Sequence, residues 1–271
     1  MWILLGIVVA VIFALFLCTK GNCDKQKQAR LRGFCYAHRG LHGKGVAENS
    51  MAAFAAAKEK GYGIELDLHL MRDGRLAVLH DSSLKRTTGA EGIIEDMTAD
   101  ALSLYRLEGS TQTIPLFSDV LSLYEDAGAP IIVELKPYKK NHAALCEATC
   151  KSLEGYKGEY AIESFDPRCI LWLKKHRPDI IRGQLSQNFF KTDDKLSFII
   201  KLLLTHNLLN FLTRPDFVAY RFSHRDTPSI HLCEKLWKMQ CIGWTIMGEA
   251  EMKEAESIGW LSIFEHIKKE K

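Results

Sequence analysis

The chain has 271 residues, 47% of them hydrophobic and 25% charged, with 36 basic against 33 acidic side chains. That composition excludes a disordered, collagen-like or fully membrane-embedded chain. The first 33 residues hold five basic side chains against Asp24. The other 238 therefore carry 31 basic and 32 acidic groups and lack the basic excess with which a nucleic-acid binder neutralises phosphates.

Trp2 to Cys18 is a 17-residue run without charge. As a helix it spans about 25 Å, the short end of what crosses a bilayer. A cleaved signal peptide needs positive charge before the run and small residues at the cut. Here the basic residues follow the run, and Leu17-Cys18-Thr19 is a poor cleavage site. The expectation is an uncleaved single-pass anchor at the cell membrane over residues 1–19, then a basic linker over 20–33. The positive-inside rule then puts the body, 34–271, in the cytoplasm. The eight cysteines include no Cys-x-x-Cys pair, so no zinc ribbon is indicated.

Along the body, 34–37 reads as a strand. Ser50 caps a helix that Gly61 stops. Strands follow at 64–68 and 76–79, joined through Asp73-Gly74. The stretch 84–115 fits no regular pattern and reads as an inserted excursion. A helix over 117–127 precedes a strand at 130–135, and 142–153 is helical. After a strand at 160–162, Asp166-Pro167 starts a helix that runs to about His176. Strands at 180–185, 217–220, 241–246 and 261–264 and a helix at 249–257 complete the set. Strand–helix alternation of this length suits an α/β fold, a closed (β/α)8 TIM barrel with a small insertion after the second strand region. The alternative is an open doubly wound sheet. It wants a Gly-rich phosphate turn, and Gly40-Leu41-His42-Gly43-Lys44-Gly45 has neither the dinucleotide nor the P-loop spacing.

The chemistry-bearing residues sit at strand ends, where a barrel builds its site. Glu65 and Asp67 are two apart on a strand and share a face. Side by side they repel, so one is protonated or a cation lies between them. Glu134, on another strand, offers a third oxygen ligand. Three carboxylates without cysteine suit a hard divalent cation, Mg²⁺ or Ca²⁺. His69 shares the face of Asp67 and is a further candidate ligand. His38 and His80 end two other strands and could form an acid–base pair. Arg39 and Lys136 bring positive charge to the same rim, suited to a phosphate. The set as a whole suits phosphoryl chemistry at an anionic phosphodiester.

Residues 36–88 read Tyr-Ala-His-Arg-Gly, Glu-Asn-Ser-Met-Ala-Ala-Phe, Ile-Glu-Leu-Asp-Leu, Arg-Asp-Gly, His-Asp and Arg-Thr-Thr. Ile-Val-Glu-Leu-Lys follows at 132–136, Glu-Ser-Phe-Asp-Pro at 163–167 and Trp244-Thr245 later. This ordered set strongly resembles the glycerophosphodiester phosphodiesterase family, over nearly all of 34–271. The lean body and short anchor are similar to bacterial members. The resemblance implies a (β/α)8 barrel and a divalent cation held by Glu65, Asp67 and Glu134. It implies acid–base histidines at His38 and His80, with Arg39 and Lys136 at the phosphate. It implies attack on phosphorus by the neighbouring glycerol hydroxyl, a cyclic phosphate, and release of an alcohol and glycerol 3-phosphate. Trp244 and Phe165 are expected to wall the glycerol. The chain departs from the family's pattern at Ala47, at Ser50 and in the last strand, where Ser262-Ile263-Phe264-Glu265 replaces the common Asp-Gly-Ile-Ile-Thr-Asp.

The segment 196–212 is a second apolar stretch, interrupted by Lys201, His206, Asn207 and Asn210. It reads as a barrel helix with an extended loop, or as an interfacial segment with Lys191, Lys195, Lys201 and Arg214 at lipid headgroups. Three functions follow. The first is metal-dependent hydrolysis of glycerophosphodiesters. The second is phospholipase D-like hydrolysis of lysophospholipids at the membrane. The third is a non-catalytic tethered barrel, against which the complete set of five acidic and histidine residues argues.

Overall fold

A computed structural model describes residues 2–266. Its centre is a closed barrel of eight parallel strands: β1 (Tyr36–Ala37), β2 (Gly63–Leu70), β4 (Ile131–Leu135), β5 (Tyr160–Ser164), β6 (Ile181–Ser186), β7 (Phe217–Arg221), β8 (Gln240–Ile246) and β9 (Leu261–Phe264). β1 pairs with both β2 and β9 and so closes the ring. The remaining strand, β3 (Leu76–Val78), lies antiparallel on the end of β2. It follows the expected Asp73-Gly74 turn as the return arm of a hairpin and stands outside the ring of eight. The turn at Arg72-Asp73-Gly74, with Gly74 at φ 83° and the Met71 amide bonded to the Arg75 carbonyl, brings it straight back, and so short a turn cannot make a parallel crossover.

The pleat assigns the layers. On β2, Ile64, Leu66 and Leu68 face the outer helices, while Glu65, Asp67 and His69 face inward. The lower barrel is packed by Tyr36, Ile132, Ala161, Ile181, Phe217 and Ile242. Gly183 is needed there, because a Cβ on it would lie 2.2 Å from the ring of Phe217. The carboxylates therefore sit on top of a dry apolar plug.

The helices are α1 (Trp2–Cys18), α2 (Lys25–Ala29), α3 (Met51–Glu59), α4 (Lys85–Thr88), α5 (Phe117–Tyr124), α6 (His142–Ser152), α7 (Pro167–His176), α8 (Phe198–Thr205), α9 (Asn210–Thr213), α10 (Pro228–His231) and α11 (Glu249–Ser257). The expected caps form. Ser50 Oγ accepts from the Ala53 amide at 3.1 Å, and Asp166 accepts from Arg168 with Pro167 at the first helical position. The excursion after β3 is built, not loose. Met71, Leu79, Leu84, Ile94, Leu102, Leu107 and Ile114 form a small apolar core of its own.

Trp2–Cys18 does form one helix, but among the described residues no helix is long and apolar enough to cross a membrane. The expected single-pass span is corrected accordingly: at about 1.5 Å per residue α1 falls short of a hydrocarbon layer about 30 Å thick. Its end docks on the body. The Phe16 ring lies 4.7 Å from that of Trp237, whose indole N–H donates to Thr19 Oγ1 at 2.9 Å.

Residues 20–33, expected to be a linker, fold against the floor of the barrel. Asn22 donates to Asp216 Oδ1 at 2.6 Å, and Gln28 donates to the Asp216 carbonyl at 3.1 Å. Leu31 is fully buried beneath Tyr36, whose hydroxyl donates to the Leu31 carbonyl at 2.7 Å. All eight cysteines are free thiols, five of them buried.

Candidate active site

β2 and β4 pair in register, Asp67 opposite Glu134, and β5 sets Glu163 opposite Glu134. One row of the barrel thus holds three buried acids, with Glu65 one step below. Glu65, Asp67 and Glu134 each place a carboxylate oxygen within 4.8 Å of the others. Lys136, one step past β4, puts Nζ 2.6 Å from Glu134 and 3.0 Å from Asp67. Asn49 donates to Asp67 Oδ2 at 2.8 Å, and the Arg39 amide donates to Glu65 Oε2 at 3.1 Å.

Burial and the charges of Asp67 and Glu134 push Glu65 well above the ordinary carboxyl range. Burial likewise lifts Glu134 to about 7. Asp67 goes the other way: burial raises it, but Lys136, His80 and Arg39 outweigh that and hold it well below. Lys136 is held above its usual range by Asp67 and Glu134 despite the burial that opposes them. Ionised together, the four acids would exceed one lysine and one arginine by two charges, which is why Glu65 and Glu134 are raised, and Glu65 Oε1 has no hydrogen-bond donor. The donor set is all oxygen, so these three residues fit a hard divalent cation.

The two histidines flank this cluster, each braced from behind. His38 follows β1 and turns Nδ1 to Glu265 at 2.5 Å, while its Nε2 lies 3.8 Å from Glu65. His80 follows β3 and turns Nδ1 to Asp81 at 2.6 Å. A carboxylate at Nδ1 keeps the proton there and leaves the Nε2 lone pair facing the site. Burial lowers both imidazoles, His80 to about 4, so both are neutral near pH 7.

Arg39 sits at φ 53° in the turn after β1 and donates to Glu48 at 3.1 Å, with Nε 3.5 Å from Asp67. Glu48 also takes two bonds from Arg86, whose Nε donates to Asp81 at 2.5 Å. A chain of ion pairs, Arg39–Glu48–Arg86–Asp81–His80, therefore joins the two sides of the site. His69 does not join the carboxylates. Its ring nitrogens face Glu95 at 2.6 Å and the His80 carbonyl at 3.2 Å, which corrects its candidacy as a ligand.

Trp244 on β8 and Phe165 after β5 meet edge to face at 5.6 Å, and Phe165 meets Phe189 at 6.1 Å. This aromatic wall opens into a cavity of about 760 Å³ that takes in His80, Glu134 and Lys136 at one end and Leu196, Ile200, Leu203 and Leu204 at the other.

Sequence reasoning did not single out Glu265, Asp81, Glu48, Asn49, Arg86 or Glu163. His-Asp at 80–81 and Glu-Asn at 48–49 stood in the motifs without roles. Glu265 lies where the last strand departs from the common pattern, so no motif pointed to it.

The sequence matches a model of the glycerophosphoryl diester phosphodiesterase family over residues 38–266. It is 34% identical over 170 residues to a glycerophosphodiester phosphodiesterase of Bacillus altitudinis, covering 59% of this chain and 69% of that one. It is 30% identical over 149 residues to rat lysophospholipase D GDPD1, covering 50% of this chain and 46% of the relative. Among solved structures, an Oleispira antarctica phosphodiesterase in complex with sn-glycerol-3-phosphate superposes with a TM-score of 0.72 at 22% identity, over 88% of this chain and 94% of that one. A Thermotoga maritima glycerophosphodiester phosphodiesterase gives 0.65 at 21% identity, over 86% and 95%.

Proposed function

Because this chain belongs to the glycerophosphoryl diester phosphodiesterase family, and is thereby a phosphoric diester hydrolase, we propose that it cleaves glycerophosphodiesters to an alcohol and glycerol 3-phosphate. One observation carries the reading: two carboxylate-braced histidines converge on three acids whose oxygens lie within 4.8 Å of one another.

Glu65, Asp67 and Glu134 would hold a divalent cation, Mg²⁺ or Ca²⁺, which supplies charge stabilisation to the phosphate oxygens. Arg39 and Lys136 bind and orient the phosphate. One histidine Nε2 takes the proton of the neighbouring glycerol hydroxyl as its oxygen bonds to phosphorus. The other gives a proton to the departing alcohol oxygen as its bond to phosphorus breaks. The anionic diester raises the second histidine into its protonated form by attraction. Water then opens the cyclic phosphate with the proton roles reversed. Glu265 and Asp81 hold the tautomers, and Trp244 with Phe165 excludes water from the glycerol face.

The test is release of glycerol 3-phosphate from glycerophosphocholine by the full chain in detergent. EDTA should abolish it, and Mg²⁺ or Ca²⁺ should restore it. Turnover undiminished by EDTA would overturn the metal part of the reading.

The apolar end of the cavity favours a second substrate, a lysophospholipid, whose acyl chain would lie along Phe189, Leu196, Ile200 and Leu204. Lysophosphatidylcholine offered to the same preparation distinguishes the two by release of lysophosphatidic acid.

A further inference from the structure

We propose that α8, together with α9 and the adjoining end of α1, is a face that seats in one leaflet of a lipid bilayer and presents the mouth of the catalytic cavity to it.

Seventeen large hydrophobic side chains stand exposed among the described residues. Eight of them fall within residues 190–212 and five in α1. Exposed apolar side chains scattered singly need no explanation, but a continuous patch does. α8 explains its own shape. Ser197 caps it, its side chain accepting from the Ile200 amide. Leu203 and Leu204 then turn inward to line the catalytic cavity, and Ile200 stands at its open rim, 41% exposed. Phe198 and Ile199, on its first turn, stand out into solvent: Phe198 is 70% exposed and Ile199 67%. Phe190 lies on Phe198 at 5.5 Å and extends the patch instead of covering it.

The occupant follows from continuity and charge. Leu202 and Leu208 share an apolar groove of about 480 Å³ with Leu15 and Phe16 of α1. Whatever covers that groove also covers the C-terminal end of α1, a helix without a charge in 17 residues. A hydrocarbon layer meets that demand. A protein partner would have to provide an apolar surface along both elements. At the edge of the patch Lys20 lies over the Trp237 ring at 5.0 Å, a pairing of charge and indole suited to the headgroup level. Lys191, Lys195, Lys201 and Arg214 flank the patch against Asp193 and Asp194, and Thr192 and Gln187 engage Asp194. The net charge of this segment attracts anionic headgroups.

The test uses the full chain with vesicles of phosphatidylcholine alone or with phosphatidylglycerol. The double variant Phe198→Ser/Ile199→Ser changes neither the cavity lining nor the acidic cluster. Its partition to vesicles is expected to fall at least tenfold, with turnover of soluble glycerophosphocholine unchanged. The partition of the wild type should rise with phosphatidylglycerol. Because α1 alone could hold the protein to a vesicle, a second variant reads depth directly. In Phe198→Trp the added indole should be quenched by lipids brominated on the acyl chain. No added quenching overturns the proposal. So does a double variant that partitions as the wild type does, or one that merely dissociates a dimer of the wild type while vesicle binding stays the same. The diester turnover is measured separately, so failure of the catalytic reading and failure of this one are distinguishable.

Discussion

Glu265 has no reason to lie beneath an imidazole unless the imidazole's tautomer matters. It accepts from His38 Nδ1, and His42 Nε2 lies 3.6 Å from the same oxygen. Burial pushes Glu265 up, but the bond from His38 and the nearness of His42 overcome it and hold the carboxyl far below its usual range. Glu265→Ala is expected to lower kcat by about ten- to a hundredfold with little change in KM, since a free imidazole spends much of its time in the wrong tautomer. Glu265→Gln, whose amide oxygen can still accept, should recover part of the rate. Steady-state kinetics on glycerophosphocholine decide it, and equal losses in both variants would sink the tautomer argument. His38→Gln and His80→Gln should each cost about 10²- to 10⁴-fold in turnover while leaving the melting curve in place. The histidines and acids themselves were legible in the sequence, since strand-end placement and same-face spacing are local properties. Their braces were not, because Glu265 and His38 are 227 residues apart and only barrel closure brings them together.

The hairpin of β2 and β3 does more than extend the sheet, because it delivers His80. The following segment is clamped by the excursion, where Glu95 accepts from Ser82 Oγ at 2.9 Å and faces His69 at 2.6 Å. His69 in turn reaches the His80 carbonyl. Glu95→Ala leaves the buried His69 Nδ1 without a partner, a loss of about 1–3 kcal/mol, and frees the half-buried Ser82 hydroxyl. The variant is expected to melt lower and to lose about tenfold in kcat. A variant that melts lower with full kcat would show that the clamp only stabilises. The excursion fits no periodicity in the sequence because its core is drawn from single residues on short turns, not from a helix face or a strand. The sequence marks β3 as a strand without placing it in or out of the barrel for a related reason, since three apolar residues carry no information about direction.

The closed barrel was the most legible feature of the molecule, because each buried parallel strand is an apolar run followed by a helix of readable period. Burying histidines in it has a measurable cost in acid. His80 titrates at about 4 when folded, against about 6.5 in an unfolded chain. Between those values the unfolded chain binds a proton that the folded one does not, so stability rises with pH across that window and falls as pH drops through it. In the metal-free protein Glu65 and Glu134 act with the opposite sign, since burial raises them and the folded chain takes up their protons first. The part due to His80 is therefore read by comparison: His80→Gln should shift the difference between the melting points at pH 5 and pH 7 in favour of pH 5, as thermal melts by circular dichroism would show. An unchanged difference in the variant would assign the acid sensitivity to other groups. Least legible was the floor of the barrel. The burial of Leu31 and the bonds to Asp216 arise only once the lower ends of the strands have been gathered into a ring.

That floor decides where the chain can be shortened. Composition alone suggests starting a soluble version at residue 34, where the first strand begins. Such a cut removes Asn22, Lys27 and Gln28 from a fully buried Asp216 and takes Leu31 from under Tyr36. Losing partners of a buried charge and a buried leucine costs several kcal/mol, which for a domain of this size corresponds to a drop of about 10 °C or more. Residues 34–271 should therefore melt well below residues 20–271, and equal melting points would show that the segment rests on the barrel without supporting it. A version without α1 is best cut at the end of that helix, because the next dozen residues are the stopper in the base of the vessel.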